Sequence, residues 1–276
     1  MIDSLSGDYL GSEPAIRLVA LVGTLAILIG GEALAPRRRL GQPRWRRWFA
    51  NLGLALIDTA LLRLAVPAAA VGLAALAQAQ GWGLFNLLAM PDWLAIGLSL
   101  LLLDLALYGQ HVLTHRLPVL WRLHRVHHTD LDIDVTTGLR FHPAEILLSL
   151  LYKGAIVVAL GAPPAAVLIF EILLSSSSLF THSNLCLPSG LERAIRRVWV
   201  TPDMHRVHHS VLRAETDSNY GTCLSLWDRL FRTYRAQPLA SHDAMTLGIG
   251  QFRRPADQRL WPLLLQPLQP EPPGGR

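Results

Sequence analysis

The sequence predicts an all-α integral membrane protein, with four to five transmembrane helices and a helical cap on the cytoplasmic side. Three observations predict it. Five apolar runs occupy the first two-thirds of the chain, and a helix needs about 20 apolar residues to cross a bilayer. Of the 276 residues, 51% are hydrophobic and 16% charged, with mean hydropathy +0.32; a soluble domain carries about 25% charged residues. Finally, 22 of the 25 Lys and Arg residues lie in three polar segments, 36–49, 116–142 and 183–276. Basic loops stay on the cytoplasmic side, so an outside N-terminus and five spans satisfy all three segments.

The elements follow in order. The first fifteen residues hold Asp3, Asp8 and Glu13 but no basic residue, which is unlike the start of a signal peptide. Residues 16–35 form the first span. The loop 36–49 carries six arginines with Trp45 and Trp48 among them, an interfacial composition. The run 50–79 is interrupted by Asp58, Arg63 and Pro67 and reads as a spanning helix with a kink or break at Pro67. A turn with Trp82 and Pro91 leads to the third span, 93–115. The segment 116–142 is polar and rich in histidine. The fourth run starts after Pro143 and is broken at Gly161–Pro164; the fifth continues to about Ser183.

Beyond it the cap is expected. Ser189 to Glu192 has capping-box spacing. Leu191, Ile195, Val198 and Trp199 then share a helical face opposite Arg193, Arg196 and Arg197, the pattern of a basic interfacial helix. A second helix is predicted over 222–234, and packing on the core explains both helices as well. The Pro/Gly-rich end from Pro262 on reads as disordered. This divides the chain into an N-terminal transmembrane region (1–92), a catalytic domain (93–240) and a tail (241–276).

The net charge of +5 sits between apolar spans, which fits a membrane surface and not nucleic acid. The two cysteines form no CxxC, excluding a zinc ribbon and c-type haem attachment. The basic residues are 24 Arg and a single Lys, a bias typical of a GC-rich bacterial genome. A bacterial inner membrane is the expected location.

Ten of the eleven histidines lie between 111 and 209, and only His242 lies outside. His111 and His115 form HxxxH. His124, His127 and His128 form HxxHH, and His205, His208 and His209 repeat it, down to the intervening Arg-Val. On a helix, i and i+4 are about 40° apart and i and i+3 about 60° apart, so each box presents its imidazoles on one side. Eight such ligands exceed what one ion can take but suit two. His142 and His182, at the ends of apolar runs, are further candidate ligands or partners of ligands. Imidazole suits Fe, Zn, Cu and Ni. The Glu-x-x-His pairs of ferritin-like sites and the HExxH of metalloproteases are absent.

Two polar stripes descend from this set. Asp104, Tyr108, His111 and His115 share a face of the third span; Glu171, Ser175, Ser178 and His182 share one of the fifth. Ionisable residues inside a bilayer face the bundle interior. Asp104, Tyr108 and Glu171, with Asp203 beside the last box, are therefore candidate acceptors for the outer N–H groups of the ligands. Packing by small residues explains the serines as well.

In order and spacing these motifs resemble those of the fatty acid hydroxylase/sterol desaturase superfamily. Phe141-His142-Pro143-Ala144-Glu145, Thr201-Pro202, Asn219-Tyr220-Gly221 and Leu226-Trp227-Asp228 add to the resemblance, which covers about 100–235. It implies two iron ions, with zinc able to substitute, and O2-dependent hydroxylation or desaturation of a membrane lipid. It also implies ligand roles for the eight box histidines, with His182 a ninth and His142 a tenth. The chain has no dinucleotide fingerprint and no haem motif, so electrons are expected from a ferredoxin or cytochrome with its reductase. A zinc-dependent hydrolase and a metal transporter are the alternatives. The first wants three protein ligands and an open position, the second a site near the midplane.

Overall fold

The computed structural model describes residues 3–65 and 69–270. It is all-helical, with no strand among the described residues. Five helical stretches are long and apolar enough to cross a membrane, covering Ser12–Leu34, Arg44–Leu87, Asp92–Arg116, Pro143–Leu160 and Pro164–His182. They contain α1 (Asp3–Leu34), α2 (Arg44–Ala65), α3 (Ala69–Ala79), the short α4 (Leu84–Leu87), α5 (Asp92–Arg116), α7 (Pro143–Leu160) and α8 (Pro164–His182). Between α5 and α7 lies α6 (Pro118–His128). The expected kink or break at Pro67 falls outside the described residues.

The bundle packs the small residues of one helix, α3, against larger side chains of its neighbours. Ala70, Val71 and Ala74 of α3 meet Leu103 of α5, Leu150 and Val157 of α7, and Val167 and Phe170 of α8. Small side chains let helix backbones approach, and that close contact drives association where lipid removes the hydrophobic effect. The outermost helix is α1, which lies against α8 and links to it through Thr24 and Ser176, 3.1 Å apart. Leu18, Val19, Val22 and Ile27 of α1 face outward. At the end of the bundle away from the histidines, the turns after α3 and α7 cross at Gly83 and Gly161. A Cβ on Gly83 would meet the Gly161 nitrogen at 2.1 Å, and both residues have positive φ (92° and 67°). Only glycine serves at this crossing.

At the other end buried polar groups join the spans to the cap. Arg47 in the first turn of α2 bonds Asp130 (2.8 and 2.9 Å) and Asp134 (2.6 Å). Burial alone would raise the Asp130 carboxyl, but Arg47 and Arg140 outweigh it and hold it at about 2. Glu32 near the end of α1 accepts the backbone N–H groups of Val135 and Asn184, both at 2.7 Å. The arginine loop between the first two spans is thus partly drawn into the protein, because buried carboxylates need buried cations.

The remaining helices are α9 (Ser189–Ile195), α10 (Pro202–His208), α11 (Arg213–Thr216), α12 (Leu226–Leu230) and α13 (Leu260–Leu265). Three expectations are corrected here. Ser189 does not cap α9: Pro188 is the N-cap, and Glu192 bonds Arg196 and the Thr201 hydroxyl instead. Arg196 is consequently buried, not part of an outward basic face. The helix expected over 222–234 shortens to Leu226–Leu230, because Asp228 accepts the N–H groups of Tyr220 and Gly221 and the Thr233 hydroxyl, folding the segment back on itself. Residues 262–270, expected to be disordered, are folded against the cap. Leu263 packs on Ala50, Leu54 and Val126, and the Pro267 carbonyl accepts from Arg122 at 2.8 Å. The prolines there break the chain into short turns, and the cap supplies the donors that hold them.

Candidate metal centre

Four elements bring nine histidines together. His111 and His115 lie one turn apart at the end of α5. A two-residue corner, Leu117 with Pro118 at N1, then starts α6, which carries His124, His127 and His128. His182 is the last residue of α8. Thr201 caps α10 by accepting from the Met204 N–H, Pro202 takes N1, and the helix presents His205 and His208 with His209 as its C-cap.

The boxes do not each make one site. One group of ligating atoms comes from His111, His115, His124, His128 and His208, the other from His127, His182, His205 and His209. Within each group the atoms lie within 4.8 Å of one another. Helix geometry explains the split. In each HxxHH the i,i+4 pair points one way and the middle histidine points across. His124 and His128 serve the first group and His127 the second; His205 and His209 serve the second and His208 the first. The two boxes therefore exchange one histidine each, which ties the two groups into one unit.

The ring nitrogens test whether metal ions fit. His111 donates from Nδ1 to the Tyr220 carbonyl (2.7 Å), His127 to that of Arg140 (3.1 Å), His182 to that of Ser178 (2.6 Å) and His208 to that of Ser218 (2.7 Å). His124 Nδ1 faces Glu145 Oε1 at 2.6 Å. With Nδ1 protonated, each Nε2 carries a bare lone pair. Yet Nε2 of His182 lies 2.9 Å from that of His127, and Nε2 of His111 lies 3.2 Å from that of His124. Neither nitrogen of such a pair has a proton to share, so these contacts repel unless a cation stands between them. Two nitrogens each about 2.1 Å from one ion, at right angles across it, lie about 3.0 Å apart. Both rings of His115 and His128 are buried without a hydrogen-bond partner on either nitrogen. The donor set fits metal ions in both groups.

Burial makes these rings neutral. It pushes His127, His128, His205 and His209 well below the ordinary imidazole value, neighbouring histidines adding to the effect. His208 is brought down to about 3 by burial, against the opposing bond to Ser218. Neutral imidazole is the ligating form.

A cavity of 360 Å³ extends from the histidines between α2, α5, α7 and α8. It touches members of both groups: His111 and His124 of the first, and His127, His182 and His205 of the second. The α8 stripe lines it throughout, from Glu171 through Ser175 and Ser178 to His182.

Five of the expected roles are corrected. His142 belongs to neither group; it is the N-cap of α7, its Nδ1 accepting from Ala144 N–H and its Nε2 donating to the Leu264 carbonyl. Asp104 accepts from the Trp227 indole (2.8 Å) and the Leu224 N–H (3.1 Å), and Tyr108 bonds Thr233 (2.9 Å). This part of the α5 stripe anchors the cap behind the histidines. Glu171 is paired with Lys153 and Arg17, two of the three basic residues that fell outside the polar segments. Asp203 pairs with Arg37 and Arg206 and faces His242, not a box histidine. The acceptors the histidines do use are Glu145 and four carbonyls, and Asp217 Oδ1 lies 3.5 Å from His115 Nδ1. Glu145 sits at N3 of a Pro-initiated helix, where an acid has an ordinary reason to be, and that hid the specific one. Carbonyl acceptors have no signature in a sequence.

Neutral, convergent imidazoles at one end of an apolar helix bundle define a membrane protein built around histidine clusters that could hold metal ions. Comparison with known proteins places it more closely. The fatty acid hydroxylase family model matches residues 96–233, half of the chain. The chain belongs to that family, and is an oxidoreductase, as the histidine boxes led one to expect. Ornithine lipid hydroxylase OlsE of Rhizobium tropici is 29% identical over 249 residues, covering 86% of this chain and 73% of that protein. Human alkylglycerol monooxygenase is 28% identical over 161 residues, covering 57% of this chain and 34% of its own length. Rat cholesterol 25-hydroxylase is 28% identical over 144 residues, 51% of this chain and 47% of that protein. No solved structure matches.

Proposed function

We propose that the chain is a di-iron, O2-dependent hydroxylase of a polar membrane lipid, fed with electrons by a separate acidic donor protein. The observation that carries the reading is the reciprocal division of the histidines into groups of five and four, both touching one cavity. A catalytic zinc site keeps about three protein ligands and an open position; nine imidazoles exceed that need. The overall reaction balances as RH + O2 + 2e⁻ + 2H⁺ → ROH + H2O.

Iron bound there would supply the redox chemistry that reduces O2 and oxidises the C–H bond. The chain's own residues do the rest. The carbonyls of Tyr220, Arg140, Ser178 and Ser218 fix ring tautomers so that Nε2 points inward. Glu145 does the same for His124. Phe141 stacks on His127, with ring planes 7° apart and centroids at 4.5 Å, and stiffens that side. The cavity shields the reacting carbon from water. The exposed Arg193 and Arg197 offer a basic surface to the electron donor. The arginine distribution supports a cytoplasmic position for the histidine end, in a bacterial inner membrane.

The similarity to the ornithine lipid hydroxylase covers most of both chains, which makes ornithine lipid the first substrate to offer. The test is metal analysis of protein purified without added metal, followed by turnover under labelled oxygen. Two irons per chain and labelled oxygen in the lipid are expected. Stoichiometric zinc, with product forming anaerobically, would overturn the reading in favour of a hydrolase.

A further inference from the structure

Four ionisable side chains besides histidines line the cavity: Arg17, Asp58, Glu145 and Glu171. Three are accounted for. Arg17 is held by Glu13 at 2.8 Å and Glu171 at 2.7 Å, and Lys153 closes on Glu171 from behind. Glu145 spends one oxygen on His124. Asp58 is different. It is 7% exposed, its Oδ1 is buried without a partner, and it has no hydrogen bond or ion pair among the described residues. Glu145 is also 7% exposed, and its second oxygen is buried and unpartnered too. A buried carboxylate with no partner costs several kcal/mol, so proteins keep one only where something else completes it.

We propose that Asp58 is a specificity-determining residue that receives a protonated primary amine of the lipid substrate, with the free oxygen of Glu145 facing the same ligand. The inference rests on the lipid hydroxylase reading and deepens it by naming a substrate class. Charge selects an ammonium over a phosphate or carboxylate. The one cation in the lining, Arg17, is already shared between two carboxylates, so the charged oxygens left without a partner there belong to Asp58 and Glu145. Position supports the same ligand. Leu54, one turn before Asp58, packs on Val126, which lies between His124 and His127. Asp58 is thus about 6 Å further along α2, one turn from the level of the histidines. An amine held there leaves the carbons next to it at the histidine end of the cavity. An acyl chain leaves by the apolar part of the lining, past Leu62 and Leu174.

The test uses the full-length, metal-loaded protein in detergent and two probes, dodecylamine and dodecanol, with binding read by thermal stabilisation. The wild type should bind the amine about tenfold or more tightly than the alcohol. Asp58→Asn should abolish that difference while metal content and alcohol binding stay unchanged. Equal affinity for the two probes in the wild type overturns the proposal, and this arm needs no variant to fold. Loss of metal from Asp58→Asn would assign the residue to the metal centre and overturn it as well. Oxygen incorporation is measured separately. Amine selectivity without any lipid oxidation supports Asp58 as an amine site and sinks the hydroxylase reading; oxidation without selectivity sinks the amine alone.

Discussion

Two helix faces of this protein have the same spacing and opposite fates. On α8, Glu171, Ser175, Ser178 and His182 line the cavity from end to end. On α5, Asp104 and Tyr108 turn to the cap, where they hold Trp227, Leu224 and Thr233; only His111 of that face reaches the cavity. Periodicity says which residues share a face. It does not say what the face meets. The α8 face meets the cavity that extends from the histidines, whereas the α5 face meets the folded-back segment that follows the last box. One stripe therefore lines the cavity, and the other fixes the wall behind it.

The largest effect should come from the histidines that end the stripes. Replacing His182 with Ala should remove one of four ligands from its group and lower activity more than about a hundredfold, the upper end of what outer partners alone cost. Replacing His115 should do the same from the other group. In metal analysis each variant should lose metal from its own group first. Full metal content in both variants would break the assignment.

Glu171→Gln comes next. It leaves Lys153 and Arg17 without their shared carboxylate inside the bundle, and should destabilise by about 3–5 kcal/mol. Because Glu171 also lines the cavity, the KM for lipid should change. Asp104→Ala should cost less, about 1–3 kcal/mol, by orphaning the Trp227 indole and the Leu224 N–H. It touches no substrate space, so KM should hold while the unfolding midpoint falls. Equal KM effects in the two variants would erase the distinction between the faces.

These cases also show how much the sequence carried. The spans were legible because about 20 apolar residues ending in Pro, Gly or Arg leave few alternatives; α5 and α8 fall within a residue or so of the runs 93–115 and 164–183. The boxes were legible because helical spacing is local. What lay hidden was long-range. Nothing near Arg47 announces Asp130, and nothing near Gln266 announces that its carbonyl accepts from Arg125. The tail read as disordered from its prolines, since composition does not register donors supplied by α6. The exchange of His127 and His208 between groups needed the relative placement of α6 and α10, which no single helix contains.

His142 gives the smallest and most discriminating effect. It stands in a motif beside Glu145, and by position alone it has as good a claim to a metal as His182. The structure separates them by their nitrogens. His182 donates through Nδ1 to the Ser178 carbonyl and has Nε2 free for the centre, 2.9 Å from that of His127. His142 has neither nitrogen free: Nδ1 accepts the Ala144 N–H at 3.1 Å and Nε2 donates to the Leu264 carbonyl at 3.2 Å. Its work is to cap α7 and pin α13 against it. His142→Ala should then cost about 1 kcal/mol, the usual loss for a removed N-cap. His142→Asn should recover most of that, since the amide oxygen accepts the same N–H. Both variants should keep full metal content and turnover per metal. Metal loss in His142→Ala that Asn does not restore would return His142 to the ligand set, and with it the simpler picture in which every histidine of the cluster serves the metals.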